Sequence, residues 1–210
     1  MFISPSDPVQ PFKQRKRIVA LWVLAILFLT YIAAGDTIIR EKTLWRESCE
    51  QVGIALVFAG ILGRLWSILY VGGRKNSELV TAGPYSISRN PLYFSSMLAI
   101  TGGSLITGSL IVTVIFPALA YIVFRCTAER EARYLRSAFG AAYDTYASRT
   151  PLMLPNLSLF EPGLETMSFK PRLVMSTARD AIFLFSFIPL MEAIEYLRSN
   201  EIIAPLFRIL

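Results

Sequence analysis

Thirty-three consecutive residues, Leu92 to Phe124, carry no charged side chain. As one helix at 1.5 Å per residue they would run about 50 Å, against a bilayer hydrocarbon core of about 30 Å. The stretch therefore reads as two crossings joined by a tight turn. Gly102-Gly103 and Thr107-Gly108 are the candidate break points, and the second lies nearer the centre. Each arm is then about 16 residues long, short for a crossing but workable. The rest of the composition agrees: 54% of the 210 residues are hydrophobic and 17% charged, with a mean hydropathy of +0.50. A soluble domain of this size carries about a quarter charged residues. The chain reads as an integral membrane protein of one domain.

Three more spans are expected. Ile18 to Ala34 follows the basic cluster Lys13, Arg15, Lys16 and Arg17. That layout imitates a signal peptide, with Ala33-Ala34-Gly35 as its cleavage site, but the apolar run is long and further spans follow, so it reads as an uncleaved anchor. Val52 to Val71 is the second span. Ala181 to Leu197 is the fifth, weakened by Glu192 and Glu195 near its end; spanning is favoured over lying in the interface. The expected fold is all-α, an integral membrane helical bundle with about five transmembrane helices. It divides into an N-terminal anchor span and loop (1–51), a core of spans two to four with a cytosolic helix (52–156), and a C-terminal connector with the fifth span (157–210).

Basic residues give the direction. The N-terminal arm, the Gly72–Pro91 loop (Arg74, Lys75, Arg89) and the Arg125–Asp180 segment are rich in Lys and Arg. In the Gly35–Gln51 loop the basic residues are offset by Asp36, Glu41, Glu47 and Glu50. The bias places the N-terminus and both polar segments in the cytoplasm. The net charge of +6 is read as this membrane signature, with no nucleic-acid partner.

Histidine is absent, which removes imidazole as general base and metal ligand. Cys49 and Cys126 lie on different segments and form no CxxC, so no metal site is expected. Arg64, inside span two, is costly in hydrocarbon, about 2.5–3.5 kcal/mol on insertion scales, and is read as facing a polar cavity, with snorkelling to the interface as the alternative. Gly83-Pro84-Tyr85 reads as a turn. Pro91 suits the first position of a helix, capped by Asn90, whose free N–H groups beside Arg89 would favour an anion. Thr127 to Ala138 continues span four into the cytoplasm, with Glu129 and Arg133 spaced to pair, and Gly140 ends it. Tyr143, Tyr146 and Arg149 are three apart and would share a stripe on the next helical turn, stopped by Pro151 and Pro155.

The order of these pieces is more specific than any one of them. Arg64-Leu65-Trp66, Gly83-Pro84-Tyr85, Arg89-Asn90-Pro91-Leu92-Tyr93 and Gly103 are followed by Glu131, Leu135, Phe139-Gly140, Tyr143, Tyr146 and Arg149. From Gly60 to Pro155 the chain resembles the isoprenylcysteine carboxyl methyltransferase and phospholipid methyltransferase superfamily of membrane enzymes. The resemblance implies an S-adenosyl-L-methionine-dependent methyltransferase acting at the cytosolic interface on a lipid or lipidated acceptor. It implies that Tyr85, Arg89, Asn90, Tyr93, Gly103 and Glu131 line the cofactor site, with Glu131 on the cofactor's amino group. Arg64, Tyr143, Tyr146 and Arg149 fall to the substrate side, and Arg89 and Arg149 to catalysis. Two positions depart from the pattern: Asn90 stands where many members have histidine, and Ala132 where many have a second glutamate.

A sulfonium methyl is already activated, so transfer needs in-line placement more than acid–base help. A carboxylate or phosphate acceptor is ionised at neutral pH and can be held by arginine, whereas an amine must first lose a proton. Without histidine, O-methylation of an anionic group is favoured. The alternatives are a phosphatidylethanolamine-type N-methyltransferase, an NADPH-dependent enzyme like the membrane steroid reductases, and a non-enzymatic scaffold.

Overall fold

The computed structural model describes residues 15–37, 44–72, 78–163, 169–200, 202 and 207–209. Lys13, Arg74, Lys75 and Glu41, which entered the charge count, lie outside the described residues. The helices run α1 (Arg15–Ala34), α2 (Leu44–Val71), α3 (Pro84–Ile87), α4 (Pro91–Ile106), α5 (Leu110–Phe139), α6 (Ala141–Arg149), α7 (Pro171–Phe185) and α8 (Phe187–Ser199), with a 3-10 turn at Leu157–Leu159. The fold is helical as expected, with one small addition. Strands β1 (Gly35–Thr37) and β2 (Phe207–Ile209) pair in parallel, Gly35 opposite Phe207.

The uncharged stretch breaks at the second candidate site. Thr107-Gly108 forms the turn between α4 and α5, and Gly108 takes φ +70°, a left-handed conformation that costs glycine little. Ser109 then caps α5, its hydroxyl accepting from the Val112 N–H. The 16 residues of α4 cover only about 24 Å. The 30 residues of α5 cover about 45 Å, more than a bilayer core, so its charged C-terminal third projects beyond.

The main helix contact joins α2 to α4. Small residues on both helices let the backbones meet. A Cβ placed on Gly60 would lie 2.7 Å from the Ala99 nitrogen, and one on Gly53 would lie 2.7 Å from the Gly102 carbonyl oxygen. Both distances are too short for a real side chain, and such close approach is how helices associate where no hydrophobic drive separates protein from lipid. Against this pair lie α5, on α4, and α7, on α2. Trp22 and Ile26 on α1, Phe58 and Leu62 on α2, and Val114 and Ile122 on α5 are exposed. That belt is the surface a bilayer would cover.

Among the described residues, α2 and α5 are long and apolar enough to cross a membrane, while Ile18–Tyr31 of α1 and Pro91–Ile106 are apolar but shorter. Helix α2 begins at Leu44, eight residues before the expected span. The span placed on Ala181 to Leu197 is not one straight helix. It is divided at Ser186 between α7 and α8, because Pro189 has no N–H for the Phe185 carbonyl and its ring crowds that turn. Helix α7 starts at Pro171, inside the stretch expected to be a connector.

Candidate functional site

The site starts from a clamp between two polar segments. Gly83 turns at φ +61°, and Pro84 opens the short α3. The chain from the end of α3 to the start of α4 pairs with the chain after α6: the Arg89 N–H donates to the Pro151 carbonyl at 2.9 Å, and the Asn156 N–H to the Ile87 carbonyl at 2.9 Å. The Ser88 hydroxyl donates to the Met153 carbonyl at 3.0 Å, and Asn90 Nδ2 to the Leu152 carbonyl at 2.9 Å. Residues some sixty positions apart are thereby held in register. Asn90 occupies the N-cap position of α4, but its side chain caps nothing. It spends its amide on Leu152 instead, which corrects the expected capping role.

This clamp sets the start of α4 against the C-terminal third of α5 and the inner face of α6. Between them lies a cleft lined by Tyr85, Arg89, Asn90 and Tyr93 from the first segment, and by Glu131, Ala132 and Leu135 of α5. Tyr143 and Tyr146 of α6 close it, with Glu78, Leu79 and Val80 on the remaining side. It is narrow: about 70 Å³ admits the centre of a water molecule, within about 700 Å³ of space counting the open mouth.

The polar side chains in the cleft are tied together. Tyr93 Oη donates to Glu131 Oε2 at 2.7 Å, and the Tyr93 ring is stacked on Phe124 at 5.3 Å. Arg89 Nη1 donates to Tyr143 Oη at 3.2 Å. Tyr146 Oη donates to the Tyr85 carbonyl at 2.7 Å. Burial holds the Tyr85 phenol well above its ordinary range, reinforced by the negative charge of Glu131 and by Tyr146 and Tyr93. Burial also raises Tyr146, together with Tyr143, while Arg89 and Arg149 pull the other way. Both phenols stay neutral throughout the physiological range.

Seven of the expected site residues thus meet in one cleft: Tyr85, Arg89, Asn90, Tyr93, Glu131, Tyr143 and Tyr146. Three do not. Gly103 is buried in α4, ten residues and about 15 Å of helix beyond Tyr93. Arg64 is on α2 and donates from Nη1 to Ser96 Oγ at 2.5 Å, away from the cleft. Arg149 faces a separate polar groove with Ser86, Thr150, Phe160 and Glu161. It is half-exposed and 3.8 Å from Glu161. Six residues of helix rotate about 120° out of register, so Arg149 leaves the stripe that Tyr143 begins. Glu129 pairs with Arg125 at 3.0 Å on an exposed face, not with Arg133 as its spacing suggested.

Glu78 was missed. Its only sequence signal is a lone acid before the apolar pair Leu79-Val80, too common a pattern to single out.

The residues present fit S-adenosyl-L-methionine. Arg89 Nε is a buried donor without a hydrogen-bond partner, which a carboxylate would satisfy. Glu131 offers a carboxylate for an ammonium, and tyrosine rings supply apolar walls with negative faces.

Comparison with known proteins supports the same grouping. The phospholipid methyltransferase family matches residues 48–142. The cobalt-zinc-cadmium resistance protein CzcN of Cupriavidus metallidurans is 37% identical over 166 residues, 75% of each chain. The nickel-cobalt-cadmium resistance protein NccN of Alcaligenes xylosoxydans xylosoxydans is 35% identical over 160 residues, 75% of this chain and 73% of its own. Protein-S-isoprenylcysteine O-methyltransferase B of Arabidopsis thaliana is 30% identical over 149 residues, 64% of this chain and 73% of its own. No solved structure matches. The matched region covers the Gly83–Tyr93 side of the clamp and the cleft residues through Leu135, and ends before Tyr143 and the clamp partners after α6. The chain belongs to the isoprenylcysteine carboxyl methyltransferase and phospholipid methyltransferase superfamily of membrane proteins.

Proposed function

We propose that this protein transfers a methyl group from S-adenosyl-L-methionine to an anionic oxygen of a lipid or lipidated acceptor at the cytoplasmic face of the membrane. The observation that carries this reading is the meeting of Arg89, Tyr93 and Glu131 in one cleft, from segments about forty residues apart. When bound, the cofactor supplies an activated methyl on a positively charged sulfur. The chain supplies position. Glu131, oriented by the Tyr93 hydroxyl, takes the ammonium. Arg89, braced by Tyr143, takes the carboxylate. The tyrosine walls exclude water from the reacting centre.

The acceptor side is assigned to the groove of Arg149. Ser86 and Thr150 are its neighbours, and exposed Leu157 and Phe160 form an apolar lip beside Trp66. A lipid chain lying along that lip could bring an anionic head to the guanidinium. The Lys and Arg bias supports a cytoplasmic site, and the expected five crossings would take α1 and α4 beside α2 and α5, with the α7–α8 segment as the fifth.

N-methylation of a phospholipid amine is the second reading, favoured by the phospholipid methyltransferase match over residues 48–142. Methyl-labelled cofactor supplied to membranes containing the protein separates the two. Base-labile release as methanol is the expected result and indicates an ester. Base-stable label in a phospholipid headgroup establishes the second reading. No transfer to any lipid or lipidated fraction contradicts both.

A further inference from the structure

The chain after α6 carries a 3-10 turn, Leu157–Leu159, and the Phe160 N–H closes it on the Leu157 carbonyl at 3.2 Å. Side chains three apart eclipse in such a turn, so Leu157 and Phe160 stand on one side of it. They are 75% and 50% exposed. The turn is held at both ends. Before it, Asn156 Oδ1 accepts from the Ser158 N–H at 3.2 Å, and the Asn156 N–H is bonded to the Ile87 carbonyl. After it, the Glu161 N–H donates to Ser86 Oγ at 2.9 Å. Two large apolar side chains are thus fixed in an outward position.

Their depth follows from α2. Gly63 of α2 faces Ser95 of α4, and Gly60 faces Ala99. The two helices run antiparallel, so Trp66 lies level with Leu92, where the uncharged stretch begins. The Phe160 ring is 6.1 Å from the Trp66 ring. Gly163 packs on Tyr70, one turn further along α2, so closely that a Cβ there would lie 2.8 Å from the ring. The chain from Phe160 to Gly163 therefore runs along the last turns of a helix long and apolar enough to cross a membrane. Tryptophan and tyrosine at the end of such a helix mark the boundary between hydrocarbon and headgroups.

We propose that Leu157 and Phe160 insert into the leaflet on the cleft side of the membrane, as an interfacial anchor for the segment between α6 and α7. Insertion removes two exposed apolar side chains from water. The turn closes its own backbone hydrogen bond, and headgroups and water satisfy the remaining polar groups at that depth. The anchor bears on the site, because Phe160 also lines the Arg149 groove, which then opens at the depth of lipid headgroups. The proposal depends on α2 crossing the membrane and not on which lipid is methylated.

Spin labels on the full chain, reconstituted in phosphatidylcholine vesicles, test this. Cys49 and Cys126 are free thiols and are first replaced by serine. Leu157→Cys, Phe160→Cys, Leu62→Cys and Ala141→Cys are then labelled one at a time, with melting curves to establish folding. Leu62, exposed on α2 one turn deeper than Trp66, is the lipid reference. Ala141, exposed at the start of α6, is the water reference. Collision of each label with oxygen, which partitions into hydrocarbon, is compared with collision with a water-soluble nickel chelate. The labels at 157 and 160 are expected to lose chelate accessibility and gain oxygen accessibility relative to 141, toward the values at 62. Should one of the two variants not fold, the other decides. Chelate accessibility equal to that at 141, while 62 reports lipid, overturns the anchor. A label at 62 that matches 141 overturns the crossing by α2 and the anchor with it.

Discussion

Arg89 and Arg149 sit on opposite sides of one wall. Arg89 lies in the cleft with its Nε buried and unpaired and its Nη1 on Tyr143. Arg149 lies in the neighbouring groove, half-exposed, with Glu161 at 3.8 Å. The wall is made of α3 and the end of α6, where Tyr146 donates to the Tyr85 carbonyl. Two cations of the same sequence pattern therefore meet different solvents. A half-buried guanidinium with a buried, unfilled Nε donor favours an anion. An exposed one with a loose partner is screened, contributes about 0–1 kcal/mol as an ion pair, and can exchange Glu161 for an incoming acceptor. The proposed division into cofactor cleft and acceptor groove rests on that contrast in burial.

The contrast can be broken by four substitutions and one titration. The largest effect is expected from Arg89→Ala, which should lower affinity for S-adenosylhomocysteine about a hundredfold, the scale of losing a buried charge-assisted bond. Arg149→Ala should leave that affinity within about twofold and lower turnover about tenfold. Equal loss of cofactor affinity in the two variants would dissolve the distinction. Tyr146→Phe strikes the wall that both sides share. It leaves the buried Tyr85 carbonyl without its 2.7 Å donor and should cost about 1–3 kcal/mol of stability, read as a lowered melting temperature. Tyr93→Phe removes only the hydroxyl that orients Glu131 and should weaken cofactor binding about fivefold. The smallest effect is alkaline. The folded-state Tyr85 and Tyr146 phenols titrate above their ordinary value, whereas the unfolded chain loses those protons near pH 10. Between the two, the unfolded state binds fewer protons, so stability falls as pH rises above about 10 and is unaffected by these groups below it. The decline should be shallower in Tyr146→Phe.

Much of this was legible in the sequence for identifiable reasons. The turn at Gly108 follows from the length of an uncharged run and the need for a positive-φ residue near its middle. The projection of α5 follows from charged residues appearing after Phe124 without a helix breaker until Gly140, whose φ is +52°. Tyr143 and Tyr146 were legible as a stripe at helical spacing, whereas Arg89, Tyr93 and Glu131 were marked by the order of motifs that carries the family resemblance. The failures arose where position depends on tertiary partners. Asn90 has the composition of a cap, but the Leu152 carbonyl, sixty-two residues away, claims its amide. Arg149 continues a three-residue spacing whose angular drift takes it out of the cleft. Glu78 carries no periodic signal, and only its neighbour Leu79, buried against α5 and α6, places it in the wall. The break at Ser186 was not anticipated, because the effect of Pro189 depends on whether the surrounding helix tolerates a kink.

The central claim is that the cleft between α4, α5 and α6 is a cofactor site. Titration of the purified protein with S-adenosylhomocysteine, wild type beside Glu131→Ala, with melting curves to establish that both are folded, tests it most directly. The account predicts saturable binding of one equivalent to wild type and loss of that binding in Glu131→Ala at an unchanged fold. Near-wild-type affinity in a folded Glu131→Ala variant, or no binding to wild type, would contradict it.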